Sequence, residues 1–344
     1  MTKTTADQSM LEAAASGELG ALTRGLESGA SLFAKDLAGY NALCLAIIHG
    51  HEDLALVLVG RMLQEDPSMA WLKQTVKANG YTVFLLAVNS RKLRTLAALL
   101  ALPDTSEGLK AILALTGSQL GETAVHLAAR ENSVRALQML LKACPEVLEL
   151  PDASGTNTPL GAAVGADQAE AVSCLLKEGA NPGWETSECP PAWSRVRTSA
   201  MATLLAEQVV WSDVRDAKAR SILHVVASRG RELRLPFFRS LLNRPGCDAL
   251  LHEQDSEGKT PLHHAMGSCV GREVVDLMVE RGASWWVEDG EKNTPADILE
   301  QKVAGGWWSL DNDVLGLWRA QAKQQRMEGL YAASPVGEKS SHRL

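Results

Sequence analysis

Asp255-Ser256-Glu257-Gly258-Lys259-Thr260-Pro261-Leu262-His263-His264-Ala265-Met266 is the stretch whose reading decides the fold. Gly258 stands where a tight turn needs a positive φ, which glycine adopts without steric cost. Thr260 reads as a helix N-cap, its hydroxyl able to satisfy an orphan backbone N–H. Pro261 follows at the first helical position, where its missing N–H costs nothing. Leu262, Ala265 and Met266 then mark one helical face. After a loop, Val274, Val275, Leu277, Met278 and Val279 predict a second apolar helix, and Gly282 ends it as a left-handed C-terminal residue. Such a turn-helix-loop-helix unit has a wide apolar face and no core of its own. It must stack on copies of itself.

The copies are present. Aligned on the place of His263, the chain offers Leu11, Cys44, Leu85, His126, Gly161, Trp193, His224, His263 and Asp297, at successive spacings of 33, 41, 41, 35, 32, 31, 39 and 34 residues. Around them lie Asp36 to Ala46, Asn79 to Ala87, Leu120 to Ala129, Thr158 to Ala163 and Asn293 to Ile298, each a variant of the opening stretch. The segment about Pro190-Pro191-Ala192-Trp193 is poor and is placed by spacing alone. The first segment, Met10 to Gly17, lacks a Thr-Pro turn. Three long steps call for extra residues near 63–77, 102–118 and 245–253. The first two carry short helix-like text, Asp66 to Leu72 and Ser106 to Leu113. Insertions of this kind are either tolerated surface loops or part of a binding face.

The unit resembles the ankyrin repeat, whose pattern is an Asp-x-x-Gly-x-Thr-Pro-Leu-His-x-Ala run followed by a second helix ending in Gly-Ala. Asp255, Gly258, Thr260, Pro261, Leu262, His263, Ala265, Glu273, Gly282 and Ala283 carry the match. The resemblance covers about Ser9 to Leu299. It implies an all-α ankyrin-repeat solenoid of about nine helix-turn-helix units over residues 1–301, with a capping first repeat near 9–35 and a degenerate one near 185–212. At 302–333 Val314, Leu315, Leu317 and Trp318 predict a C-terminal capping helix, and 334–344 reads as a disordered tail. The resemblance also implies a binding protein that holds partners on the concave side, formed by turn tips and first helices.

Bulk properties narrow the function. The chain has 344 residues and a net charge of −7, which argues against nucleic acid as the partner. Its six cysteines form no Cys-x-x-Cys or zinc-finger spacing. The opening residues lack an apolar signal core, and no apolar run reaches the length of a membrane span. A reducing, cytoplasmic setting is expected, and delivery into a host cell by a dedicated secretion machine would leave the same text. No phosphate loop, Gly-x-Ser-x-Gly or His-Glu-x-x-His appears, so no catalytic residue, metal or cofactor is expected. His126, His224 and His263 hold the turn position, where a ring bonds back to the Thr hydroxyl and neighbouring backbone.

A non-catalytic protein–protein scaffold or adaptor, monomeric when alone, is the leading expectation. A bacterial effector or toxin neutraliser that binds a target protein is the alternative, and a small C-terminal enzyme module stands behind both. The surface expected to do the binding lies in the second half. Eight of the nine tryptophans fall there, and Arg215–Arg244 holds eight basic residues against two acids. Trp184, Trp193 and Trp286 are the candidate aromatic anchors, and Arg220, Arg229 and Arg231 the candidate cations for an acidic partner surface.

Overall fold

The computed structural model describes residues 2–102, 106–115, 117, 121–184, 186, 189, 191–209, 215–216, 218–228, 235–244, 246–268, 272–306 and 312–333. Among these residues every regular element is a helix, and β pairing is confined to isolated bridges at Gly117–Glu122 and Arg215–Ser221. The chain divides into two units, Met1–Val196 and Arg197–Leu344.

The first unit holds α1 (Thr2–Ser16), α2 (Leu19–Glu27), α3 (Ala42–His49), α4 (Glu52–Glu65), α5 (Val83–Asn89), α6 (Leu93–Leu100), α7 (Ser106–Leu113), α8 (Ala124–Arg130), α9 (Val134–Ala143), α10 (Pro159–Gly165) and α11 (Ala169–Lys177). First helices stack on first helices in the order α1, α3, α5, α8, α10, and second helices on second helices in the order α4, α6, α9, α11. Helices of seven or eight residues, such as α3, α5, α8 and α10, are too short to persist alone. Burial holds them instead. Val83 to Val88 and Ala124 to Ala129 are buried at every position, so these helices have no polar face in mid-stack.

α1 differs from the expected short cap, because it begins at Thr2 rather than near Ser9. Its extra turn is tied down where Asp7 accepts the Ser31 amide at 2.8 Å. The long steps fold as the helix-like text predicts: Ala70–Lys73 forms a 3-10 turn that buries Trp71 and Leu72, and α7 fills the second insertion. At the poor segment Ala192–Arg195 makes only a 3-10 turn, packed on α10. Its N-cap, Pro191, is extended, and the backbone leaves the helical region again at Val196.

The second unit holds α12 (Ser199–Gln208), α13 (Ile222–Ser228), α14 (Leu235–Leu242), α15 (Pro261–Gly267), α16 (Arg272–Glu280), α17 (Pro295–Ala304) and α18 (Asn312–Ala333), with a 3-10 turn at Cys247–Leu251 in the third insertion. α13, α15 and α17 stack as first helices, and α12, α14 and α16 as second helices. α18 lies against what would otherwise be an open end. Val314, Leu315, Trp318 and Ala322 are buried, and the Trp318 ring lies 6.2 Å from that of the fully buried Trp285. Gln325 accepts the Trp285 amide and donates to the Ala283 carbonyl, both at 3.1 Å. The side-chain amide thus meets backbone groups that have no further repeat to meet them.

Candidate functional site

Five of the turns are built around an aspartate. Asp255 accepts the Glu257 and Lys259 amides at 2.9 Å, and Asp289 accepts the Glu291 and Asn293 amides at the same distance. Asp36, Asp152 and Asp216 take the equivalent amides of Tyr40, Thr156 and Arg220. Three residues on, the backbone is left-handed in all five turns, at Gly39, Gly155, Ala219, Gly258 and Lys292. The turns also bond to one another: Ala78 to Ala38, Ala153 to Gly121, Ser256 to Lys218 and Gly290 to Glu257, amide to carbonyl, at 2.9–3.0 Å. Gly258 is compulsory on two counts, since its φ is +75° and a Cβ would stand 2.7 Å from the Gly290 nitrogen.

Histidine supplies the second tie. Nδ1 of His263 accepts both the amide and the hydroxyl of Thr260, at 3.0 and 2.8 Å. Because an amide can only donate, Nδ1 is unprotonated and Nε2 carries the hydrogen, which it gives to the Asn293 carbonyl of the next turn at 3.2 Å. His224 does the same between Ser221 and the Glu253 and Lys259 carbonyls, and His126 bonds the Thr123 hydroxyl and the Asn157 carbonyl. Burial pushes all three imidazoles down from the usual range, His224 to about 4. Asp297 keeps the capping half of this device, accepting the Thr294 amide and hydroxyl, but has no donor to pass on. It belongs to the last turn, where none is needed.

Within each unit the result is a set of bonded turn tips with exposed side chains, Ala78 and Ala153 in the first and Ser256 in the second. The cysteines Cys44, Cys144, Cys174, Cys189 and Cys247 are buried, and burial raises the thiols of Cys44 and Cys144 to about 11, far from a nucleophilic thiolate. Among the described residues no cluster of three metal-ligating side chains occurs, and no helix is long and apolar enough to cross a membrane.

Of the six residues singled out in the sequence, four are described: Trp184, Trp193, Arg220 and Trp286. Trp193 is only 5% exposed and contributes to the core beside α10, so the expected anchor there is corrected. Trp286 is engaged by α18: its Nε1 donates to the Ala322 carbonyl at 2.7 Å and the Arg326 guanidinium lies 5.0 Å over its ring. Trp184 is half-buried in the turn after α11. Arg220 pairs with Asp216 at 2.6 Å, Arg215 with Glu253 at 2.7 Å and Lys218 with Glu257 at 3.6 Å. Glu253 and Glu257 lie outside the 215–244 window and pair with Arg215 and Lys218, two of its basic residues. Arg229 and Arg231 lie outside the described residues.

Residues 120–149, which include α8 and α9, match the family model for the ankyrin repeat. The match falls on a unit in which His126 bonds the Thr123 hydroxyl and the Asn157 carbonyl, as His263 bonds the Thr260 hydroxyl and the Asn293 carbonyl.

Proposed function

We propose that this ankyrin-repeat protein is a non-catalytic binder of a protein partner, engaged through its turn tips and the adjoining ends of its first helices. The observation that carries the reading is the bonding of turn to turn. Amide–carbonyl bonds and histidine ties fix the row of tips before any partner arrives, so little conformational entropy remains to be lost on binding. The tip side chains take almost no part in that bonding and are free to vary without loss of the stack. Trp184, half-exposed beside its turn, is the proposed aromatic contact that survives from the sequence.

Photocross-linking tests this directly. A photoreactive residue at Ala78, Ala153 or Ser256 should form adducts with one protein in the source cell, whereas the same residue at Arg135 or Lys142, exposed on α9, should not. Adducts from the α9 positions alone would place binding on the opposite face. A small-molecule product turned over by the purified chain would contradict the non-catalytic reading.

A further inference from the structure

Between α1 and the turn at 34–38 the first unit opens a groove of about 760 Å³. Its floor is apolar, with Leu11, Ala15 and Leu45 among the lining residues. Leu37 stands on its lip at the turn tip and is fully exposed at 103%, the most exposed large apolar side chain among the described residues. The same place in other turns carries Ala153, Ser256 or Gly290. A leucine there contributes nothing to the turn, whose bonds are all made by Asp36 and the backbone. Ile48, one turn after Leu45 on α3, extends the apolar surface at 39% exposure.

The rim is acidic. Among the described lining residues, Asp7, Glu12 and Asp36 stand against the single cation Lys35, a net charge of −2. Asp7 and Asp36 accept the backbone amides of Ser31 and Tyr40, and Glu12 accepts the Gln8 side-chain amide. These bonds aim the carboxylates without neutralising them, and no ion pair joins any of the three to a cation among the described residues.

We propose that this groove docks a basic, apolar-centred segment of a partner protein: two or three adjacent apolar side chains on Leu11, Leu37 and Leu45, flanked by Lys or Arg facing Asp7, Glu12 and Asp36. The proposal rests on reading the chain as a protein-binding module and names the class of segment it takes. Apolar contact supplies the affinity, and the carboxylates select the sign of the flanks and speed encounter.

A phage-displayed library of random 16-residue peptides, panned on the full-length chain, tests it. Enriched peptides should carry an apolar cluster beside Lys or Arg. A labelled synthetic copy of the most enriched peptide should bind at least tenfold more weakly to Leu37→Asp and to Glu12→Lys, and more tightly to Lys35→Glu. Raising the salt from 50 to 300 mM should weaken binding as well. Leu37 is solvent-exposed, so Leu37→Asp should melt with the parent protein, and Glu12→Lys provides an independent check. No enrichment, acidic or neutral peptides, or binding unchanged in both weakening variants would overturn the proposal. If binding is lost in Trp184→Ala but retained in Leu37→Asp, the groove assignment falls while protein binding at the turn face stands. If sedimentation shows a dimer that Leu37→Asp dissociates, the occupant is a second copy of the chain and the proposal is likewise overturned.

Discussion

Acid should loosen the second unit as pH falls below about 6.5, and His224 sets the size of the effect. Its Nδ1 accepts the Ser221 amide at 3.0 Å, so a proton there would face another N–H and break the cap. Burial is the main cause of its depressed pKa of about 4, and the His264 ring, 5.7 Å away edge-on, adds to it. An unfolded histidine titrates near 6.5. The unfolded chain therefore takes up the proton first as pH falls. The stability linked to His224 is fully present above about pH 6.5, declines between about 6.5 and 4, and is level below. The gap of about 2.5 pH units corresponds to roughly 3 kcal/mol in full, of which about 2.5 kcal/mol is lost by pH 4.5. Asp255 accepts from His264 at 2.7 Å. Burial alone would raise its carboxyl, but this bond and the Lys259 and Glu257 amides hold it below the usual range, so its contribution is lost only at still lower pH. His263, also depressed by burial, acts in the same direction as His224. Urea unfolding followed by tryptophan fluorescence from pH 7.5 to 4.5 measures the slope. His224→Gln removes the titrating group: it should be less stable at pH 7.5 yet take up about 0.9 fewer protons on unfolding at pH 5.5. Equal slopes in the two proteins would refute the assignment.

The other expectations follow from burial and turn geometry. Leu223→Asp and Leu262→Asp each place a charge at a fully buried position and should cost several kcal/mol, read as a lower melting temperature by circular dichroism. Gly258→Ala should cost more than Gly282→Ala. Both positions are left-handed, worth about 1–2 kcal/mol to a Cβ, but only at Gly258 does that Cβ meet backbone, 2.7 Å away, while Gly282 opens on empty space. Removing 310–344 uncovers Trp285 and should lower solubility and melting temperature, whereas removing 334–344 should do neither.

Local chemistry explains what was legible in the sequence. A turn aspartate, a left-handed glycine, a threonine cap and Pro261 act within a dozen residues, so units about His126, His224 and His263 can be placed from the text alone. Even the insertions announced their helices, at Ala70–Lys73 and α7. Surface chemistry was harder to read because it depends on distant neighbours. Trp286 looked free until α18 brought Ala322 and Arg326 to it, and Arg215 looked unpaired until the next turn supplied Glu253. The 215–244 charge count did not include those carboxylates because its window ended before them. The groove has one signal in the sequence: Asp36-Leu37-Ala38-Gly39 puts a leucine at a tip that the other described turns fill with small or polar residues.

Hydrogen–deuterium exchange of the full chain, with and without the cross-linked partner once identified, tests the central claim most directly. Binding through the turn face predicts protection at the tips near 36–39, 77–80, 152–155 and 255–258 and at the adjoining first-helix ends, with α4, α6 and α9 unchanged. Protection confined to α4, α6 and α9, with the turn tips exchanging as in the free protein, would contradict it.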